Sequence, residues 1–237
     1  MSIILSSGKT VSVEIKRTKR KKTVSLLIKG DQVCLVIPKK LTQQRIDEIL
    51  VKKTRWIQKK LYENRLHKLP SAKIYVDGEI FTYLGKNYRL NCKEGEQVGV
   101  RLKGGELRSV VQCGLSDVDE AQTHRKQIKD WYEQRAFEVL TKRTLMHAEA
   151  LKVYPKSLKV KSYKARWGSC SAKGDIGYNW KIVIAPQRIV DYVIFHELSH
   201  LFHHDHSEHF WSQVEKYVPD YRESRSWLKK NGPSLVL

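Results

Sequence analysis

Carboxylates are scarce in this 237-residue sequence: 25 Asp and Glu stand against 45 Lys and Arg, for a net charge of +20. A field of that sign attracts polyanions, nucleic acid foremost, and speeds association with any acidic substrate in a salt-dependent way. Cysteines are also few. Cys34, Cys92, Cys113 and Cys170 stand singly, with no Cys-x-x-Cys pair, which excludes a disulfide framework and a four-cysteine zinc site and predicts free, buried thiols. No apolar run approaches the ~18 residues that a membrane span requires. No secretory h-region follows Met1, so the expected protein is soluble and cytoplasmic. Repeats and low-complexity linkers are absent as well. What remains, at 41% hydrophobic residues, is enough for one large domain or two small ones.

The basic residues are unevenly spread. Residues 1–70 hold 18 basic and five acidic side chains, an excess of 13, and the densest run is Lys16-Arg17-Thr18-Lys19-Arg20-Lys21-Lys22. Two readings stay open here: a surface that captures nucleic acid, or a solvated face that keeps the protein in solution.

Patterning gives an α+β chain. Val11-Ser12-Val13-Glu14-Ile15 alternates like a strand, and 24–28 with 33–37 flank the hairpin signal Gly30-Asp31. Pro38 closes this part. Thr42 can cap a helix whose apolar stripe is Ile46, Ile49, Leu50, Ile57 and Leu61. Beyond Pro70, short strands are expected over 74–76, 80–84 and 88–90 and on to about Val111, broken by glycines. A long helix follows from Ser116, a suitable N-cap, to about Ala150, and then strands over 158–163 and 176–184. The expected division is a basic, β-rich N-terminal region with one helix over 1–115 and a second domain over 116–237.

The chemistry is concentrated near the end. Six of the nine histidines lie between His196 and His209, five of them within His196-Glu197-Leu198-Ser199-His200-Leu201-Phe202-His203-His204-Asp205-His206. Each helical residue advances about 100°, so His196 and His200 lie one above the other and can share an ion. Glu197, one step round, is placed to hold a water on that ion. This is the His-Glu-x-x-His arrangement of zinc hydrolases, with the glutamate as general base. Pro186 suits a first helical turn, and Ile189, Val193 and Ile194 are in phase with the motif, which makes the metal face the buried face. Unpaired polar groups there would cost roughly 2–7 kcal/mol each, so an ion or a partner is expected.

A third protein ligand usually completes such a site and leaves the fourth position to water. It is read as His206. On a continued helix His206 would be about 240° out of phase, so the helix must end near His203 and the chain fold back. Asp205 and Ser207 favour turns and N-caps, and 208–214 starts another helix. His203, His204 and His209 compete with His206 and are read instead as exposed or supporting histidines.

Three stretches carry a family likeness: Arg166-Trp167-Gly168-Ser169-Cys170-Ser171 with Asn179-Trp180; the histidine motif with His206-Ser207 and Phe210-Trp211; and Pro219-Asp220-Tyr221-Arg222 with Trp227-Leu228. With these, residues 163–232 closely resemble the YgjP-like family of zinc metallopeptidases, and a looser likeness reaches back to Lys16. The resemblance implies a zincin-like domain, a small sheet packed on helices, with Zn²⁺ on His196, His200 and His206 and Glu197 as catalytic base. The chain departs from the pattern at Asp205, where asparagine is typical, and in the His203-His204 pair.

By that plan Arg166, Trp167 and Asn179 line a cleft, the alternative being that Trp167 and Trp180 anchor the core. Arg166 or Tyr221 is expected to steady an oxyanion, while Cys170 lacks an evident histidine partner for a nucleophilic role. Amide hydrolysis of a peptide or protein substrate is the leading reading. The resemblance also implies an alternative, a metal-dependent nucleoside triphosphate pyrophosphatase or phosphohydrolase, because such an activity has been attributed to the family. A further alternative is a nucleic-acid-associated protease like the SprT-like relatives that share the motif.

Overall fold

The computed structural model describes residues 2–5, 8, 10–20, 22–29, 31–66 and 73–237. Of the residues singled out in the sequence, Lys21, Gly30 and Pro70 lie outside that set. Contacts divide the chain into two compact units, Met1–Pro70 and Ser71–Leu237, so the division falls some 45 residues before the expected 115/116 boundary. The reason is packing: Phe81, Leu90 and Leu107, assigned from sequence to the N-terminal region, share one core with Ile128 and Tyr132 of the helix that follows.

In the first unit, alternation builds a four-stranded sheet from β1 (Ser2–Ile4), β2 (Thr10–Thr18), β3 (Ser25–Lys29) and β4 (Gln32–Pro38). Its order is β1-β2-β4-β3. The outer pairs are antiparallel and the inner pair β2/β4 is parallel, with Val13 opposite Val33. Helix α1 (Gln43–Leu66) follows. Its stripe Ile46, Leu50, Ile57 and Leu61 is at most 3% exposed and packs with Val13, Leu35 and Ile37 of the sheet. Burying an apolar stripe of this kind, rather than intrinsic propensity, is what stabilises such a helix.

The second unit opens with β5 (Ile80–Tyr83), β6 (Lys86–Glu94), β7 (Gly99–Lys103) and β8 (Glu106–Val111), in the order β5-β6-β8-β7. The stretch expected as a strand over 74–76 is not one; Tyr75 is buried there at a positive φ of 61°. Helix α2 (Asp117–Leu151) begins where the sequence places it, with Ser116 as N-cap accepting from the Asp119 N–H. From His124 to Leu151 its buried residues recur every three or four positions, with Tyr132 beside Trp131 the one exception. The N-terminal half meets the β5–β8 sheet, where Tyr132 donates to the Thr82 carbonyl and His124 bonds Ser109 at 2.7 Å in a buried pair. The C-terminal half meets a second sheet, β10-β11-β9, made of β9 (Ser157–Lys161), β10 (Gly168–Cys170) and β11 (Asp175–Asn179).

The strand expected to run through 184 stops at Asn179. The Asn179 side chain accepts from the Lys181 N–H and starts a 3₁₀ turn over Trp180–Ile184. Trp180, Ile182, Val183 and Ile184 are all buried, so no alternation betrays the change. Helices α3 (Gln187–Ser199), α4 (Glu208–Tyr217) and α5 (Tyr221–Asn231) complete the unit. The Leu84-Gly85 turn between β5 and β6 sits on the start of α3. Leu84 N–H bonds the Val183 carbonyl, Gly85 has a φ of +77°, and a Cβ on it would fall 2.8 Å from Pro186 Cα. No helix among the described residues is long and apolar enough to cross a membrane.

Candidate metal centre

Helix α3 is buried on nearly every side, with Ile189, Val190, Tyr192, Val193, Ile194, Phe195 and Leu198 in the core, and this fixes its rotation. Bidentate pairing from α2 holds it along its axis. Arg143 donates to both oxygens of Asp191, the Nη2 bond measuring 2.6 Å, and His147 stands 3.4 Å from Asp191 Oδ1. The His196 and His200 rings project from the far end, with centroids 5.0 Å apart. The helix stops at Ser199, four residues before the expected His203, because the Ser199 carbonyl accepts from both Phe202 and His203 in a tight turn.

That turn brings His206 back. Asp205 Oδ1 accepts from the Ser207 N–H, and Ser207 N-caps α4 by accepting from the Phe210 N–H. His206 Nε2 comes to 3.2 Å from His196 Nε2, and one nitrogen from each of His196, His200 and His206 lies within 4.8 Å of the others. Two nitrogens held about 2.0–2.1 Å from a tetrahedral ion are necessarily about 3.3–3.4 Å apart, so the pair has the right spacing for zinc. His200 Nδ1 meets the His203 carbonyl at 3.0 Å. A carbonyl can only accept, so Nδ1 carries the proton and Nε2 presents its lone pair. The Nδ1 of His196 is buried with no hydrogen-bond partner, a departure from the usual second hydrogen bond of such a histidine. The aromatic floor is Phe210, whose ring centroid lies within 5.0 Å of all three imidazoles, and Trp211 stacks on His206 at 5.6 Å. Burial, then repulsion from His200, His206 and Arg225, depresses His196 to about 3, and burial also lowers His200. Neutral imidazoles with converging nitrogens fit a divalent, nitrogen-seeking ion.

Glu197 is 5% exposed and sits against β10. A Cβ on Gly168 would come within 2.6 Å of both Cγ and Cδ of Glu197, so a bare backbone is required there. Burial pushes the Glu197 carboxyl up to about 8, with Arg166 opposing the shift. An open cleft of about 320 Å³ joins Arg166, Gly168, Ser169 and Cys170 to the histidines and Glu197.

The other residues singled out in the sequence fall in different places. Arg166 is exposed and lines the cleft. Asn179 does not: it is 4% exposed, and its Nδ2 donates to the carbonyls of Tyr163 and Arg166, tying down the loop that carries Arg166. Tyr221 is buried and stacked on Trp211 at 5.1 Å, outside the cleft lining. Trp167 lies against Gly232, and Trp180 is buried and donates to Ser162, so both are packing residues. His204 reaches the cleft rim, whereas His203 and His209 stack on each other at 6.1 Å. Cys170 is in the cleft, but burial and the nearby Glu197 push its thiol up to about 11, which keeps it protonated. Gly168, Phe210 and the Arg143–Asp191 pair carry no advance signal of their roles in the sequence, beyond the place of the first two in the family-like stretches.

Residues 22–231 match the family described as YgjP-like, metallopeptidase domain. No curated protein matches the sequence. Among solved structures, the metallopeptidase zymogen abylysin of Pyrococcus abyssi is similar at 23% identity, over 38% of this chain and 93% of that one, with a TM-score of 0.35.

Proposed function

The chain belongs to the YgjP-like metallopeptidase family, and on that footing we propose that it is a zinc peptidase in which His196, His200 and His206 hold the ion and Glu197 is the general base. Zinc supplies a Lewis acid that acidifies water and offsets negative charge on a scissile carbonyl oxygen. The rest is the work of this chain. Burial keeps His196 and His200 uncharged at neutral pH, so both offer lone pairs without first losing a proton. Glu197, held ionised by the charge of a bound zinc ion against the burial that raises it, would take the proton of the attacking water on a carboxylate oxygen and return it to the departing amine, so that water is split across the amide and the carboxylate ends unchanged. Among the described residues strand β10 pairs with β11 on one edge only, and its other edge suits an extended peptide held by backbone hydrogen bonds. Arg166 offsets charge developing near Glu197. The protonated Cys170 thiol is a poor nucleophile, which leaves water as the attacking group.

The observation that carries this reading is the convergence of three imidazole nitrogens beside one buried carboxylate. Purified, zinc-loaded protein is expected to cleave casein. Glu197→Gln is expected to retain zinc at near-stoichiometric occupancy and to lose roughly 10²–10⁴-fold in turnover. Loss of zinc together with activity would make Glu197 a ligand and end the assignment. A second reading, hydrolysis of nucleoside triphosphates, is favoured by Arg166, the one Lys or Arg among the described residues of the cleft lining, which would meet a phosphate. Nucleoside triphosphate turnover that is sensitive to Glu197→Gln, with no cleavage of casein, selects it.

A further inference from the structure

The densest basic run in the sequence is partly taken up, with Lys19 and Lys22 its exposed cations that form no ion pair among the described residues. Lys16 pairs with Glu14, Arg17 is taken up by the carbonyls of Lys39 and Leu41, and Arg20 donates to Ser25. Helix α1 is different. Between Glu48 and Glu63 it holds five cations and no carboxylate. Lys52, Arg55 and Lys59 are exposed and form no ion pair among the described residues. At about 100° per residue they fall in one stripe, centred about 170° from the buried ridge of Ile46, Leu50, Ile57 and Leu61. Two aromatic side chains share that outward ridge, Trp56 at 40% exposure and Tyr62 at 64%, and neither ring meets another ring or a cation among the described residues.

Exposed rings interleaved with unpaired cations at helical spacing match a strand of phosphates with accessible bases. The rings offer stacking faces, which duplex DNA cannot use without being opened. A membrane is a poorer fit. An interfacial helix must insert its apolar face, and the apolar face of α1 is fully committed to its own sheet. We propose that the outward ridge of α1, Lys52, Arg55, Trp56, Lys59 and Tyr62, binds single-stranded nucleic acid, the cations meeting phosphates and the two rings stacking on bases. The site is independent of the peptidase reading, because it needs neither the metal nor Glu197.

The test uses the full chain and a fluorescent oligo(dT) of about 20 nucleotides, with a duplex of equal length and anionic phosphatidylserine vesicles as competitors. The wild type is expected to bind the single strand in preference to both, with affinity falling steeply with salt. Replacing Lys52, Arg55 and Lys59 together by Gln is expected to reduce the log–log salt slope by about 2, at roughly 0.7 per phosphate on a single strand. Trp56→Ala and Tyr62→Ala are each expected to weaken binding by roughly 10- to 100-fold, whereas Trp56→Phe retains most of it. The Phe and Gln variants keep the test decisive should either Ala variant fold poorly. The proposal is overturned by a wild type that does not bind at about 50 mM salt, by Gln and Ala variants that match it in slope and affinity, or by duplex or vesicles bound in preference with no effect of Trp56→Ala.

Discussion

Four strands in the order first, second, fourth, third, with antiparallel outer pairs and a parallel inner pair, and then a helix: this arrangement occurs twice, as β1–β4 with α1 and as β5–β8 with α2. Even strand lengths correspond, nine residues for β2 and β6 and five for β3 and β7. The helices differ. Helix α1 has 24 residues and packs one ridge on its own sheet, which leaves the opposite ridge to solvent. Helix α2 has 35 and, having crossed its sheet, continues onto β9–β11 and α3, where Arg143 grips the metal-motif helix through Asp191. One topology thus serves as a platform with a bare outer face and as a strut for a buried centre. About three extra helical turns, and what the chain builds beyond the sheet, decide which.

The largest expected effect separates the two units. Ile57→Ala and Ile128→Ala each empty a fully buried position and should cost about 2–5 kcal/mol. In urea unfolding followed by zinc content, Ile128→Ala is expected to release zinc with its transition, and Ile57→Ala to destabilise the first unit while zinc stays bound. Equal loss of zinc in both variants would show that the two copies unfold as one.

Next comes the ligand set. His206→Ala should weaken zinc binding well beyond the ~10–100-fold that loss of a supporting histidine costs, whereas His203→Ala and His204→Ala stay within that range. A zinc titration that finds a larger defect at His203 or His204 would reassign the third ligand.

The strut itself is tested by Asp191→Asn, expected to cost about 3 kcal/mol because Arg143 is left half-buried and unpaired. Burial alone would raise the Asp191 carboxyl, but the hydrogen bonds from His147 and Arg143 and the charge of Arg143 outweigh it and hold the group below the usual carboxylate range. A carboxyl depressed on folding contributes stability that is fully present above its unfolded pKa of about 3.9 and is lost as pH falls through the folded value. The gap between wild type and Asp191→Asn should therefore be constant near neutrality and close only in acid. A gap that widens on acidification would contradict the sign.

Smallest is the effect of Trp56→Ala on stability, within about 0.5 kcal/mol, as expected of a residue on the exposed ridge opposite a packed one. A cost near that of Ile57→Ala would mean the outer face of α1 is covered.

Features read from local periodicity were visible in the sequence. The stripe of α1, the Ser116 cap of α2, the stacking of His196 on His200 and the return of His206 through a Ser207-capped turn all rest on neighbours a few residues apart. Features made by pairing across the chain were not. The duplicated topology leaves no repeat in the sequence, because many apolar choices satisfy one pleat. Strand β10 has three residues of equal, partial burial and so no alternation to detect. Asn179 looks like a cleft residue by its place beside Trp180, yet its amide is spent on two carbonyls of the loop that presents Arg166.

Gly168 carries a consequence for sequence variation. No residue but glycine can stand there while Glu197 keeps its position, since even a methyl group would overlap Cγ and Cδ of the carboxylate arm. Tolerance at the centre is therefore lopsided. On the proposed assignment of Glu197 as base, His204 at the rim is expected to tolerate change, while Gly168→Ala is expected to displace Glu197 and lower turnover with the three histidines still in place.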